Sequence, residues 1–419
     1  MQRSRGTESM RMRILHVHDR ARFQGGVEQI LHDTAAGLSA LGHPQGLLSA
    51  DAKACPNFSG PFDSIGTGLA QAEQFRPDVL ILHKWQDVGL LRRLLERYPG
   101  VQVVHDHDLY CPRRHKYFPL THRQCSHRAG AACAAHLCLV HAGRAGWPLG
   151  WTSLAEFRQR QTVATRADLF VAGSAYSREQ LVINGIEHGR IRVVAPVPAT
   201  AGQLEPLPPG EPGRMLFMGQ VVRGKGVDLL LEAAAGLQGR WRLDVVGDGP
   251  QLEACRDQAR RLGLSDRVEF AGWVEHAALR RWIERCAFLV VPSRWPEPFG
   301  MVGIEAMSRA RAVVGFRSGG IPDWLDDGIT GLLAKPGCRT GLRQALQALI
   351  DEPARAQRMG RRALEAVRRR FSHSGFLLAM QSAALDAIAH RRASSSHNAS
   401  QNASIAWTST ESALEIGPR

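Results

Sequence analysis

Short apolar runs, each closed by glycine, histidine or proline, recur along this chain with helix-length stretches between them. Arg13-Ile-Leu-His-Val-His18 is the first, too short for a helix and rich enough in apolar residues for a strand. Similar runs occupy 77–83, 101–105, 167–172 and 191–195, and the segments 29–38, 69–75 and 89–97 read as helices between the earlier ones. Strand and helix in alternation predict a parallel sheet, and apolar runs without a polar face predict strands covered on both sides. Ligands of such sheets bind at the carboxyl ends of strands, where His83 and His105 fall. A second series starts at Met215 and continues at 241–246, 268–270, 287–291 and 312–316. Proline and glycine crowd the stretch between the two series, as a domain linker requires.

The pattern therefore predicts an α/β chain with a domain over 12–198, a linker over 199–213 and a second domain over 214–375. A helix over 376–391 follows, then a Ser-, Ala- and Asn-rich tail over 392–419 that is expected to be disordered.

Composition narrows the classes. The 419 residues are 44% hydrophobic and 22% charged, as in ordinary soluble proteins, with no apolar run near the roughly 20 residues that span a bilayer. The first residues lack a signal-peptide core, which leads us to expect a cytoplasmic protein. A net charge of +14 points to an anionic partner. Arginine supplies nearly all of it, since lysine stands only at 53, 84, 116, 225 and 335. Aromatics at 6% argue against nucleic acid, whose binding surfaces interleave basic and aromatic side chains.

Candidate chemistry gathers in the second series. Gly219-Gln-Val-Val-Arg-Gly-Lys-Gly226 lies between a strand and the helix predicted over 227–235. Its glycines permit close backbone approach, and Arg223 and Lys225 bring positive charge to a helix start, a combination suited to a diphosphate. Gly247-Asp-Gly-Pro250 and Gly319-Gly-Ile-Pro-Asp323 are further glycine turns after strands. In 291–307, Pro296 and Pro298 bracket Glu297, and a helix is predicted from Phe299 with Glu305 about two turns in. Gly300 and Gly303 would admit a phosphate, while the two carboxylates would reach hydroxyls at opposite ends of a ligand. In the first series, Gly25 and Gly26 open a helix after the first strand.

Residues 105–141 interrupt the rhythm with Cys111, Cys125, Cys133 and Cys138 and seven histidines. Four cysteines in one loop of a cytosolic chain suggest a structural zinc site, although no paired C-x-x-C occurs. The alternative is a substrate-facing insertion with reduced thiols.

In this order, Gly25-Gly26-Val27-Glu28, His105-Asp106, Gly219 to Gly226, Gly247 to Pro250, Glu297 to Glu305 and Gly319 to Pro322 resemble the GT-B glycosyltransferases of the retaining family 4 type, over residues 12–390. The resemblance implies two Rossmann-like β/α/β domains facing across a cleft, with the C-terminal helix returning to the first. It implies Lys225 on the donor diphosphate, Glu305 on the ribose, Glu297 on the transferred sugar, and Phe299, Gly300 and Met301 with backbone near the phosphates. Gly25 and Gly26 would close over the donor, joined by Gln220, Arg223 and Gly247 on its nucleotide side, and His105 would meet the sugar. His107 competes with His105 for that role. Gln220 and Asp323 replace the family's usual arginine and glutamate. The activity implied is sugar transfer from a UDP- or GDP-sugar to a saccharide or lipid-linked acceptor, with no metal for catalysis and no other cofactor. It suits cell-envelope or exopolysaccharide biosynthesis. The other readings are a GT-B epimerase or phosphorylase, or a non-catalytic sugar- or membrane-binding protein. Leucines and arginines over 89–97 give a helix with one apolar and one basic face, as peripheral contact with the inner face of an anionic membrane would need.

Overall fold

The computed structural model describes residues 11–51, 54–142, 149–202, 204, 206–275 and 278–411. The N-terminal ten residues, linker residues 203 and 205, and tail residues 412–419 lie outside them.

The first series folds into strands β1 (Ile14–His18), β2 (Gln45–Ser49), β3 (Ser64–Gly66), β4 (Val79–Leu82) and β5 (Gly100–Val104). A short antiparallel hairpin, β6 (Val140–Ala142) and β7 (Leu149–Trp151), precedes β8 (Leu169–Ala172) and β9 (Ile191–Val193). Seven of these strands form one sheet in the order β3-β2-β1-β4-β5-β8-β9, every pairing parallel. The second series gives β10 (Arg214–Met218), β11 (Arg242–Val246), β12 (Val268–Gly272), β13 (Phe288–Val291), β14 (Ala312–Phe316) and β15 (Gly331–Ala334). These make a second parallel sheet, ordered β12-β11-β10-β13-β14-β15. The chain is thus two Rossmann-like units, as the alternating pattern predicts. Strands β2, β3 and β15 escape that pattern because each mixes glycine or polar residues with one or two large apolar ones.

The final helix, His373–Glu411, returns to the first domain. Leu377 lies so close to Gly37 that any β-carbon there would overlap it. Arg391 grips the buried Asp168 carboxylate through two bonds of 2.8 Å. An apolar cluster runs from Ile14, Ile81 and Val103 through Phe376, Met380 and Ala384 to Leu216, Leu289 and Ile304, joining both sheets to this helix. The helix continues past residue 391, where disorder was expected. There Ser394, Ser395 and Ser396 turn their hydroxyls back to the carbonyls four residues earlier.

The helix Val88–Arg97 does not offer the apolar face that membrane contact through it would need. Leu90, Leu91, Leu94 and Leu95 are 0–6% exposed and pack in the first domain's core, so its apolar face is already covered. Among the described residues no helix is long and apolar enough to cross a membrane.

Candidate active site

Both sheets direct their carboxyl ends toward the contact between the domains. On the second domain, the turn after β10 packs on the turn after β11. Gly247 has φ +139, and a β-carbon on it would fall 1.9 Å from the Gly219 carbonyl oxygen, so only glycine lets these backbones meet. Residues Arg223–Lys225 form a single 3₁₀ turn, and Gly226, at φ +74, hands over to the helix Val227–Ala234. A side chain at Gly226 would strike the Pro292 carbonyl. Arg294 binds Asp228 at 2.8 and 3.0 Å and the Arg223 carbonyl at 2.6 Å, which ties the 219–226 turn to the strand β13 loop.

That arrangement presents Lys225 to Glu297. The ammonium lies 2.8 and 3.0 Å from the two carboxylate oxygens and 5.3 Å from the centre of the Trp295 ring. Trp295 Nε1 donates to the same carboxylate at 2.9 Å, and the Ser293 hydroxyl donates as well. Burial by itself would raise the Glu297 carboxyl, but the Lys225 charge and these donors hold it below its ordinary value. Glu297 is only 3% exposed, so the carboxylate expected at the mouth lies beneath Lys225 and aims it. The following helix begins at Met301, two residues later than its pattern suggested, because Gly300 takes a left-handed cap at φ +96. Glu305 is therefore one turn in, half-buried. The Phe299 carbonyl is taken by Trp324 Nε1 at 2.6 Å, and Gln220 and Arg223 stand exposed.

Across the contact, Gly26 abuts Met301, whose methyl would lie 2.4 Å from any β-carbon on Gly26. Behind this turn His18 Nε2 meets Glu28 at 3.2 Å. The two candidate histidines divide. His107 donates from Nε2 to the Pro296 carbonyl at 2.8 Å across the join between domains, while its Nδ1 accepts from the Tyr110 hydroxyl of its own domain at 3.0 Å. His105 instead turns Nε2 to His83 Nδ1 at 2.8 Å, and burial pushes its pKa down to about 3. Beside it, which sequence reasoning missed, Lys84 bridges Asp106 and Asp108.

The 105–141 insertion is a bridge. Gln124 reaches Ser318 at 2.6 Å, and Arg223 meets His122 at 3.1 Å. Cys111, Cys125, Cys133 and Cys138 are free thiols near enough to influence one another's ionisation, and among the described residues no three His, Cys, Asp or Glu side chains are gathered as a metal would hold them. Burial, reinforced by the neighbouring thiols Cys133, Cys111 and Cys125, pushes Cys138 up to about 11.

Residues 205–366 match the model for glycosyl transferases group 1, and residues 24–197 match that for glycosyltransferase family 4. The chain belongs to the group 1 glycosyltransferases of the GT-B fold. Glycogen synthase of Mycobacterium tuberculosis is 26% identical over 383 residues, covering 81% of this chain and 86% of that one. D-inositol 3-phosphate glycosyltransferase of Nocardia farcinica is 34% identical over half of each chain. Anabaena HepE, solved with UDP and glucose, superposes over 88% of this chain and 98% of its own, with a TM-score of 0.69 at 18% identity. In this group 1 glycosyltransferase, the motifs 219–226, 297–305 and 319–322 all lie within the first matched segment.

Proposed function

We propose that this glycosyltransferase moves a hexosyl group from a UDP- or GDP-sugar to a saccharide acceptor with retention of anomeric configuration. The observation that carries this reading is Lys225, aimed by the buried Glu297 over glycine turns with little side-chain bulk. An ammonium so fixed neutralises charge that grows on a leaving diphosphate, and it needs no reorganisation as that charge appears. The diphosphate would leave on the face the acceptor hydroxyl approaches, its own oxygen taking the acceptor proton, so positioning supplies much of the rate. No metal is called for in this scheme, because Lys225 supplies the cation. The structural neighbour solved with UDP and glucose, and with UDP-glucose, supports a nucleotide-sugar donor. The +14 charge fits an acidic or lipid-linked acceptor in envelope or exopolysaccharide assembly, reached by electrostatic attraction to the membrane's inner face.

The test is a panel of nucleotide sugars scored first by thermal shift, since a ligand of the native state raises apparent stability. Proton NMR of the product then reads the new anomeric linkage. The reading requires one UDP- or GDP-sugar to stabilise the protein and to give the donor's own configuration. An inverted product, epimerised free donor, or phosphate as the obligatory co-substrate would replace it.

A further inference from the structure

A line of four polar side chains crosses the first sheet on one face. The two-residue period puts His16 and His18 with Ile14, His83 with Val79 and Ile81, and His105 with Val101 and Val103. Their strands are neighbours in the sheet, β2-β1-β4-β5, and Gln45 opens β2. Gln45 Oε1 lies 2.9 Å from His16 Nε2, His16 Nδ1 lies 3.1 Å from His83 Nε2, and His83 Nδ1 lies 2.8 Å from His105 Nε2. Neighbouring rings are nearly parallel, at 20° and 17°. Gln45 and His16 are fully buried, and His83 is 5% exposed.

One end of this line sets its direction. Gln45 Nε2 donates to the His43 carbonyl at 2.7 Å, which leaves Oε1, an acceptor, facing His16. His16 must then carry its proton on Nε2, and its Nδ1 must accept. His83 therefore donates from Nε2 and accepts at Nδ1, and His105 donates from Nε2 in turn. Every ring is neutral, and each bond permits only this order. Burial independently pushes His16 down to about 4 and His105 to about 3, in keeping with neutral rings. The titratable groups nearby are His18 with Glu28 on one side and Lys84 with Asp106 and Asp108 on the other.

We propose that Gln45, His16 and His83 are positioning residues that lock His105 in its Nε2–H tautomer, leaving Nδ1 as a fixed hydrogen-bond acceptor for a sugar hydroxyl. The line is a lock and not a proton wire. A proton entering at His105 Nδ1 could pass inward ring by ring, but it would arrive at an amide oxygen that cannot hold it. His105 thus meets a ligand as a neutral acceptor that neither gains nor gives a proton during transfer. What His105 does to a donor sugar rests on the transferase reading; the tautomers do not, and they can be measured with no sugar present.

The experiment is long-range proton–nitrogen NMR of the full chain with ¹⁵N-labelled histidine, which distinguishes protonated from bare ring nitrogens. Resonances are assigned by their loss in His16→Phe, His83→Phe and His105→Phe. The expected spectrum shows His16, His83 and His105 all neutral with Nε2–H, unchanged from pH 8 to pH 5. In Gln45→Met the lock loses its anchor, His16 becomes a tautomer mixture, and turnover of the preferred nucleotide sugar falls at least about tenfold in kcat, with donor KM within about twofold. If Gln45→Met does not fold, Gln45→Glu substitutes for it. Its carboxylate should raise the His16 pKa into the observable range. An Nδ1–H tautomer or a charged ring among the three at pH 6, or an unmoved His16 in both variants, overturns the proposal.

Discussion

The two sheets are built alike, yet their carboxyl ends carry opposite chemistry. In the second domain the strands end in glycine turns around an ion pair, Lys225 with Glu297, whose carboxylate is kept ionised by four donor contacts. In the first, β4 and β5 are followed directly by His83 and His105, rings kept neutral chiefly by burial. A diphosphate needs fixed positive charge. A sugar hydroxyl needs a directed acceptor without net charge, since charge there would compete with the leaving group. One fold used twice can offer both because parallel sheets bring every strand's carboxyl end to the same edge, and the turn residues alone then decide what that edge presents.

The comparison breaks most cleanly at Lys225. Lys225→Ala should lower donor turnover by about 10²-fold or more, because it removes one preorganised charge from the transition state, and it should lower Tm as well, because it leaves the buried Glu297 carboxylate without its cation. No core cavity adds to the Tm loss, since the Lys225 side chain is partly exposed. Steady-state kinetics on the preferred donor check this, and near wild-type turnover would sever the second domain's ion pair from catalysis.

Acid should strike the first domain's side of the comparison. His16, His83 and His105, with His107, have folded pKa values below the ordinary histidine value because burial disfavours their charged forms. The unfolded chain therefore takes up protons first as pH falls. The stability these rings contribute is complete above about pH 6.5 and drains between there and about pH 4, at up to ~1.4 kcal/mol per pH unit for each ring. Glu297 is also shifted down, but in a carboxyl a lowered pKa favours the charged form, so its contribution is kept until pH falls through the carboxylate range. Thermal unfolding from pH 7 to pH 4.5 should show a steep loss of Tm that is shallower in His83→Phe at equal salt. A flat profile in wild type contradicts the neutral-histidine account.

Glu305→Gln should act more mildly, raising donor KM several-fold with kcat little changed, since ribose contacts alter little as the reaction proceeds. An unchanged KM would place Glu305 outside the nucleotide site. Smallest of all is the effect of chelation. Prolonged EDTA treatment should leave transfer within error of the untreated enzyme, and zinc in protein purified without added metal should stay below about a tenth of an equivalent.

Much of the second domain's site could be read from residues alone, because glycines at positive φ and a lysine at a helix start leave marks in sequence. The depth of Glu297 could not. Its burial depends on Ser293, Trp295 and Lys225 folding over it, and a carboxylate between two prolines looks exposed in one dimension. The leucine helix over 88–97 has an apolar face that sequence cannot assign to core or bilayer, and only packing decides. Spacing in a long loop did not determine how near Cys111, Cys125, Cys133 and Cys138 would lie, and the fold brings them close enough to influence one another. The Gln45–His16–His83–His105 line had a legible half, in that three histidines each continue an apolar every-other-residue pattern. Their adjacency depended on strand order, and Gln45 lay in a strand with too little apolar character to be seen.

Equilibrium binding of a nucleoside diphosphate separates the two domains' roles most directly. Calorimetric titration of UDP, and of GDP in parallel, into wild type, Lys225→Ala and His105→Ala uses no acceptor and no turnover. Loss of a charge-assisted contact of ~1.5–3 kcal/mol should weaken the preferred nucleotide about 10- to 100-fold in Lys225→Ala, whereas His105→Ala, lacking any sugar to meet, should stay within about twofold of wild type. Equal affinity in wild type and Lys225→Ala, or a larger loss in His105→Ala than in Lys225→Ala, would contradict the assignment of phosphate to the second sheet and sugar to the first.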